Sequence, residues 1–244
     1  MRRFIAAAEE IEEKRVILRD PDEIRHVKVL RLRPGEHVIV SDGSMFEYEC
    51  RIEKIGETGV EAVILDKQRS AGEPAQFIDL YQAVPKHPKM ETVIQKSVEL
   101  GVSAIYPILS SRTLVLQKAD VDKRQSRWQR IAAEATKQCR RGSIPPVAPA
   151  LDWEELLLAL KEYELVLFIY ENEEKNTLKK LLRSLSGKPS QTAVLIGPEG
   201  GFSDSEAEAV LAAGGRPVSL GSAILRTETA GLAVLAMLKY EWEL

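Results

Sequence analysis

The chain has 244 residues, 44% of them hydrophobic and 29% charged, with a formal net charge of −3. That length holds one large domain or two small ones around a real core, and the composition excludes a disordered or collagen-like chain. With no apolar run of about 18 residues and no signal-like N-terminus, no transmembrane helix is expected, and the expected compartment is the cytoplasm.

Strand-like runs come first: Arg15 to Leu18, Val38 to Val40, Phe46 to Ile55 and Val60 to Leu65. Asp42-Gly43 between two of them marks a hairpin turn, because glycine tolerates the positive φ such turns need. One helix interrupts the strands, starting near Pro21 and running to about Leu32, with Pro34-Gly35 as its stop. Short strands around a single helix suggest a small β-barrel over residues 1–69. Gln68 to Gln76, with Ser70, Gly72 and Pro74, reads as the linker to a second domain over residues 70–244.

Beyond the linker, apolar runs alternate with helical patterns: Phe77 to Val84, Ala104 to Leu109, Leu165 to Tyr170, Ala193 to Ile196 and Pro217 to Leu220. This alternation predicts an α/β domain with a mostly parallel sheet covered by helices. The helix from Pro88 to Leu100 carries Met90, Val93, Ile94 and Val98 on one face and stops at Gly101. Asp152 with Glu155, and Ser203 with Glu206, form capping-box patterns at two further helix starts.

Charge is unevenly distributed. From Arg112 to Arg141 there are nine bases against three acids, so the rest of the chain is strongly acidic. On a helix, Arg127, Arg130, Glu134, Lys137 and Arg141 fall on one face, and Trp128, Ile131, Ala132, Ala135 and Cys139 on another. The first face suits phosphates, although a charge run also describes an ordinary solvated face. Cys50 and Cys139 belong to no metal or disulfide pattern and read as buried, reduced thiols. His26, His37 and His87 lack metal-ligand spacing, and no metal is expected.

The densest chemical signal is Ile196-Gly-Pro-Glu-Gly-Gly-Phe202, directly after a buried strand and before a helix opening at Ser203. At strand ends of a parallel sheet, Gly197, Gly200 and Gly201 let the backbone approach a ligand closely. A tight strand-to-helix turn is the plainer alternative. The spacing matches neither the dinucleotide fingerprint nor the P-loop, so the loop alone does not name its ligand.

A second string, Leu220-Gly-Ser-Ala-Ile-Leu-Arg-Thr-Glu-Thr-Ala-Gly231, opens an apolar helix. Together these strings resemble the paired C-terminal motifs of the ribosomal RNA small subunit methyltransferase E family, of the SPOUT class. The resemblance extends along the chain through His26-Val-Lys-Val-Leu-Arg-Leu32, Lys96 with Glu99-Leu-Gly-Val102, Ser111-Arg112, and Arg127-Trp128 with Glu134-Ala135.

The resemblance implies an N-terminal PUA-like barrel, a knotted C-terminal domain with a deep trefoil, and a homodimer. It also implies transfer of a methyl group from S-adenosylmethionine to N3 of a uridine in 16S rRNA, within the small ribosomal subunit. Cofactor residues implied are Phe168, Ile169 and Glu171, then Ile196, Gly197, Gly200 and Gly201, then Leu220, Gly221, Ile224 and Leu225. Arg226 is expected to stabilise the reacting uracil and Glu228 to accept its proton, although a carboxylate at a helix start also serves the macrodipole. RNA contacts are expected from His26, Arg31, Arg112, Arg127, Arg130, Lys137 and Arg141. Two other readings stay open: a non-catalytic RNA-binding or ribosome-assembly protein on the same fold, and an enzyme holding another nucleotide at the glycine loop.

Overall fold

A computed structural model describes residues 1–43, 46–70, 76–86, 88–113 and 117–242 of the chain. Gly72 and Pro74 of the expected linker, and His87, lie outside the described residues. The chain forms two units, Met1–Glu73 with Thr136–Ile144, and Pro74–Ala135 with Pro145–Leu244.

The first unit is built on five strands: β1 (Arg2–Ile5), β2 (Arg15–Leu18), β3 (His37–Ser41), β4 (Phe46–Ile55) and β5 (Val60–Arg69). They lie in the order β1-β3-β4-β5-β2, antiparallel except for the parallel pair β1 and β3. Alternation puts Val16, Leu18, Val38, Val40, Cys50 and Ile52 into one core. Strand β1 carries too little signal to read from sequence, being four residues that open on two arginines, yet its Phe4 is buried in that core. Burial pushes the Cys50 thiol up to about 12, so it stays a protonated, inert packing group. Cys139, expected to be buried, is only half-buried.

Helix α1 (Pro21–Val29) starts where the sequence indicates, with Asp20 accepting from the backbone N–H of Asp22 at 2.7 Å. It ends short of the expected Leu32. Arg31 takes the left-handed conformation with φ 55°. Its N–H donates to the Lys28 carbonyl and that of Leu32 to the Val27 carbonyl, which closes a Schellman motif. Pro34-Gly35 therefore follows the helix without ending it.

The second unit holds the strands β6 (Phe77–Ala83), β7 (Ala104–Ile108), β8 (Leu165–Ile169), β9 (Gln191–Ile196) and β10 (Arg216–Val218). All pairs are parallel, in the order β10-β8-β9-β6-β7. The central β9 reads as a continuous apolar run because both of its faces are covered, and Val194 and Leu195 have no exposed surface.

The described residues after β6 also form the helices α2 (Lys89–Glu99), α3 (Lys118–Asp122), α4 (Gln125–Cys139), α5 (Trp153–Leu160), α6 (Leu178–Ser184), α7 (Asp204–Ala212) and α8 (Thr227–Trp242). Helix α2 buries Met90, Val93, Ile94 and Val98, each worth about 1.5–3 kcal/mol when fully removed from water. Gly101, at φ 95°, ends it. The two capping boxes form as the sequence indicates, Asp152 with Glu155 on α5 and Ser203 with Glu206 on α7. Trp128, Ala132 and Ala135 are the buried face of α4, whose residues from Thr136 onward belong to the first unit.

Candidate functional site

Because every strand of the second sheet runs the same way, the loops that leave the carboxyl ends of β8, β9 and β10 share one edge. They enclose a cleft of about 490 Å³, within the range of small-molecule sites. Ile169 and Glu171 line it from the first loop, Ile196, Gly197, Gly200 and Gly201 from the second, and Leu220, Gly221, Ile224 and Leu225 from the third. These are the residues expected to hold a cofactor, with one exception. Phe168 has no exposed surface and stacks on Tyr170 at 5.0 Å and against Phe202 at 5.3 Å. It supports the floor from the core and does not face the cleft.

The glycines differ in what they permit. A Cβ on Gly197 would stand 2.9 Å from the ring of Phe202, which is itself buried against Trp153 and Phe168. Gly201 needs its glycine for a different reason, a φ of +68°, and an added Cβ would also displace the Glu171 carboxylate. At Gly200 an added Cβ would meet only the Arg112 side chain at 3.5 Å, an ordinary contact.

The loops are tied together by polar groups that sequence alone does not pair. Thr227, buried at the start of α8, donates its hydroxyl to the Gly197 carbonyl at 2.6 Å and accepts from Gln82 Nε2 at 2.9 Å. Glu206 accepts from the backbone N–H of Ser111 at 2.7 Å and of Ser203 at 2.9 Å. Burial raises this carboxyl, but those N–H groups outweigh it and hold Glu206 below the usual carboxylate range. Beside it, Arg112 Nη1 donates to the Gly200 carbonyl at 2.7 Å, so this expected RNA residue braces the glycine loop.

At the mouth, Lys89 lines the cleft, with Nζ 3.3 Å from Glu199 Oε1 and 3.1 Å from Glu228 Oε2. The Glu199 contact has hydrogen-bond geometry; the Glu228 contact is an ion pair by distance. Glu228 is held below the usual carboxylate range by its own backbone N–H, against slight desolvation, and by Lys89. Burial pushes Glu199 up, but the backbone N–H groups of Glu199 and Lys86 and the Lys89 ammonium win and keep it low. A carboxylate held low is a poor proton acceptor, and Glu228 does not line the cleft. The geometry therefore turns Glu228 toward Lys89 and away from the expected role of base. Arg226 is exposed on the cleft wall, as expected.

The basic stripe divides into residues with different tasks. Arg127 is exposed but pairs with Glu91 at 2.9 Å, and Arg130 is exposed with no ion pair among the described residues. Lys137 turns inward onto Glu23, whose side chain is only 5% exposed, and Arg141 is buried. Neither is displayed to phosphates as the helical projection suggests, because the last turn of α4 packs within the first unit. In that unit Arg31 is exposed, while His26 is half-buried with its ring 5.4 Å from Phe4. Among the described residues no cluster of three or more His, Cys, Asp or Glu side chains has the makings of a metal site. None of the described helices is long and apolar enough to cross a membrane.

Comparison with known proteins places this arrangement. The RNA methyltransferase domain family matches residues 72–239, and the RNA methyltransferase PUA domain family matches residues 18–65. The ribosomal RNA small subunit methyltransferase E of Bacillus subtilis is 30% identical over 242 residues, covering 97% of this chain and 94% of its own. The crystal structure of the Neisseria gonorrhoeae ribosomal RNA small subunit methyltransferase E bound to S-adenosyl methionine superposes with a TM-score of 0.86 at 32% identity, covering 98% of this chain and 97% of that one. A Legionella pneumophila methyltransferase solved with the same cofactor gives 0.85 at 32% identity, covering 98% of this chain and 96% of that one. Fold and cleft thus define an RNA methyltransferase with a PUA-like N-terminal unit. The chain belongs to the ribosomal RNA small subunit methyltransferase E family.

Proposed function

We propose that this protein methylates N3 of one uridine in 16S rRNA, using S-adenosylmethionine. The coarser activity, cofactor-dependent methylation of small-subunit rRNA, follows from the family; the uridine nitrogen is the finer step. The observation that carries it is the three-loop cleft, whose wall includes Gly197, packed too closely on the buried Phe202 ring to carry a side chain. Such a surface of backbone groups and apolar Ile169, Ile196, Leu220 and Leu225 fits a ligand that joins adenine, ribose and an amino-acid tail. When bound there, the cofactor supplies an activated methyl group.

The chain's own residues then divide the work. The loops after β8, β9 and β10 hold the cofactor, Thr227 fixes the Gly197 carbonyl, and the cleft aligns the uridine nitrogen at near-attack distance. Arg226, exposed on the wall, faces the charge that develops on the uracil oxygens. RNA is held by exposed cations, with Arg130 and Arg31 the best placed of those expected, and residues 1–69 serve as the RNA-binding domain beside a catalytic domain over 70–244.

A second copy of the chain and the assembled small subunit are its partners, and the cytoplasm its compartment. In support of a dimer, α8 exposes Met237 at 42% and Tyr240 at 85%, a pairing more apolar than a solvated helix face requires. The deep trefoil knot belongs to the same reading. Incubation with labelled S-adenosylmethionine and small subunits lacking the modification tests the function. Label is expected in 16S rRNA, and unlabelled rRNA alongside measurable cofactor binding would return the chain to a non-catalytic RNA-binding role.

A further inference from the structure

Lys89 is placed against local preference. It is the first residue of α2, where the exposed N–H groups of the helix start make a cation unfavourable. Two carboxylates from separate segments offset this: Glu199 from the glycine loop and Glu228 from the first turn of α8. An arrangement that breaks a local rule and repairs it with groups more than 100 residues away is what a functional site looks like.

The geometry of the ammonium specifies a direction. An ammonium has three donors. One is spent on Glu199 and one faces Glu228, so among the described residues the third has no partner, and Lys89 lines the same cleft as Arg226 and Gly197. The two carboxylates fix the Nζ position before any ligand arrives, which is the preorganisation that electrostatic catalysis needs. Both also keep the group fully protonated: contact with Glu228 first, and Glu199 second, hold it above the usual lysine range.

The chemistry needs such a donor. The uracil imide is a weak acid, and its N3 lone pair becomes nucleophilic once the proton has gone. Glu199 and Glu228 are both held low, so neither is suited to take that proton. The site is instead built to stabilise the anion left behind, whose charge lies largely on the two carbonyl oxygens.

We propose that Lys89 is a catalytic residue whose open N–H hydrogen-bonds a carbonyl oxygen of the target uracil and stabilises its N3 anion. The N3–H bond breaks and the proton passes to water. The N3 electron pair then forms the new bond to the methyl carbon as the carbon–sulfur bond breaks, its electrons staying on sulfur. N3-methyluridine, the neutral thioether and one proton are the products. Glu199 and Glu228 are positioning residues for Lys89. This inference rests on the function proposed above.

The test uses the full-length protein, small subunits lacking the modification, and a second batch reconstituted with 5-fluorouridine-substituted 16S rRNA. Electron withdrawal by fluorine makes the imide more acidic and lessens the need for the cation. Lys89→Met and Lys89→Gln are expected to lower kcat on ordinary subunits by about a hundredfold, the scale of losing one oxyanion donor. Calorimetric affinity for S-adenosylhomocysteine is expected to stay at the wild-type value, the rate to climb further toward alkaline pH, and the deficit to shrink on the fluorinated substrate. An unchanged kcat, an equal deficit on both substrates, or a loss explained by weaker cofactor binding would overturn the role of Lys89. If the wild-type protein makes no N3-methyluridine at all, the functional reading itself fails, which is a different result.

Discussion

Thr227 donates its hydroxyl to the Gly197 carbonyl across 2.6 Å, joining the first residue of the last helix to the first residue of the glycine loop. Both lie on the cleft wall, and Gln82 on β6 braces the same hydroxyl at 2.9 Å. Thr227→Val keeps the shape and removes the hydroxyl, so the Gly197 carbonyl loses this donor and Gln82 Nε2 loses one of its two acceptors, keeping only the Ala83 carbonyl. A stability loss of about 1–3 kcal/mol is expected, read as a lower denaturant midpoint. Affinity for S-adenosylhomocysteine, by calorimetry, is expected to fall with it; a fully stable variant with wild-type affinity would show that the bond merely decorates the turn.

The three loop glycines should separate by position. Gly197→Ala drives a methyl group into the Phe202 ring, held in the core by Phe168 and Trp153, so both stability and cofactor affinity are expected to drop. Gly201→Ala pays chiefly for its positive φ, about 1–2 kcal/mol, since the Glu171 side chain it meets can swing aside. Gly200→Ala meets only Arg112 at van der Waals distance and is expected to be close to silent. Thermal melts and calorimetry on the three variants check the ranking, and equal effects at Gly197 and Gly200 would refute it.

Glu206 gives the second unit an acid-sensitive joint. Its folded pKa lies below the ordinary 4.5, so the stability it adds is present above that pH and is lost as pH falls through the folded value. Glu206→Gln is expected to destabilise the protein at neutral pH by about 1–3 kcal/mol and to flatten the dependence of stability on pH below about 4.5. Urea titrations from about pH 3 to about pH 7 compare the two proteins; parallel curves would show that the Ser111 and Ser203 contacts carry no net charge dependence.

Two substitutions on the basic segment should have contrasting outcomes. Arg130→Glu removes an exposed cation with no ion pair among the described residues and is expected to weaken RNA binding without altering stability. Lys137→Ala instead strands the buried Glu23 carboxylate, at about 3–5 kcal/mol, and is expected to lower the melting temperature. Adding Glu23→Gln should return most of that loss. Filter binding across a salt series, with melts on the same samples, checks both halves.

Much of this was legible in the sequence because local chemistry and tertiary context agree. The parallel strands announce themselves as apolar runs, Ser203 with Glu206 and Asp152 with Glu155 cap the helices they precede, and the glycine loop marks its own strand end. Where the reading fell short, a long-range contact decided the outcome. Helical projection puts Lys137 and Arg141 on an outer face, but it cannot know that the end of α4 joins the first unit, where Glu23 waits. Phe168 belongs to the right loop by number, yet strand alternation points it into the core. Lys89 gave no signal, since its partners Glu199 and Glu228 are 110 and 139 positions away and only the fold assembles them.

The most direct measurement is mass spectrometry of 16S rRNA from unmodified small subunits treated with this protein and isotopically labelled S-adenosylmethionine. A single labelled nucleoside, N3-methyluridine, at one position is the expected result. Label on another base or another atom of uracil, or none while S-adenosylhomocysteine still binds the cleft, would contradict it.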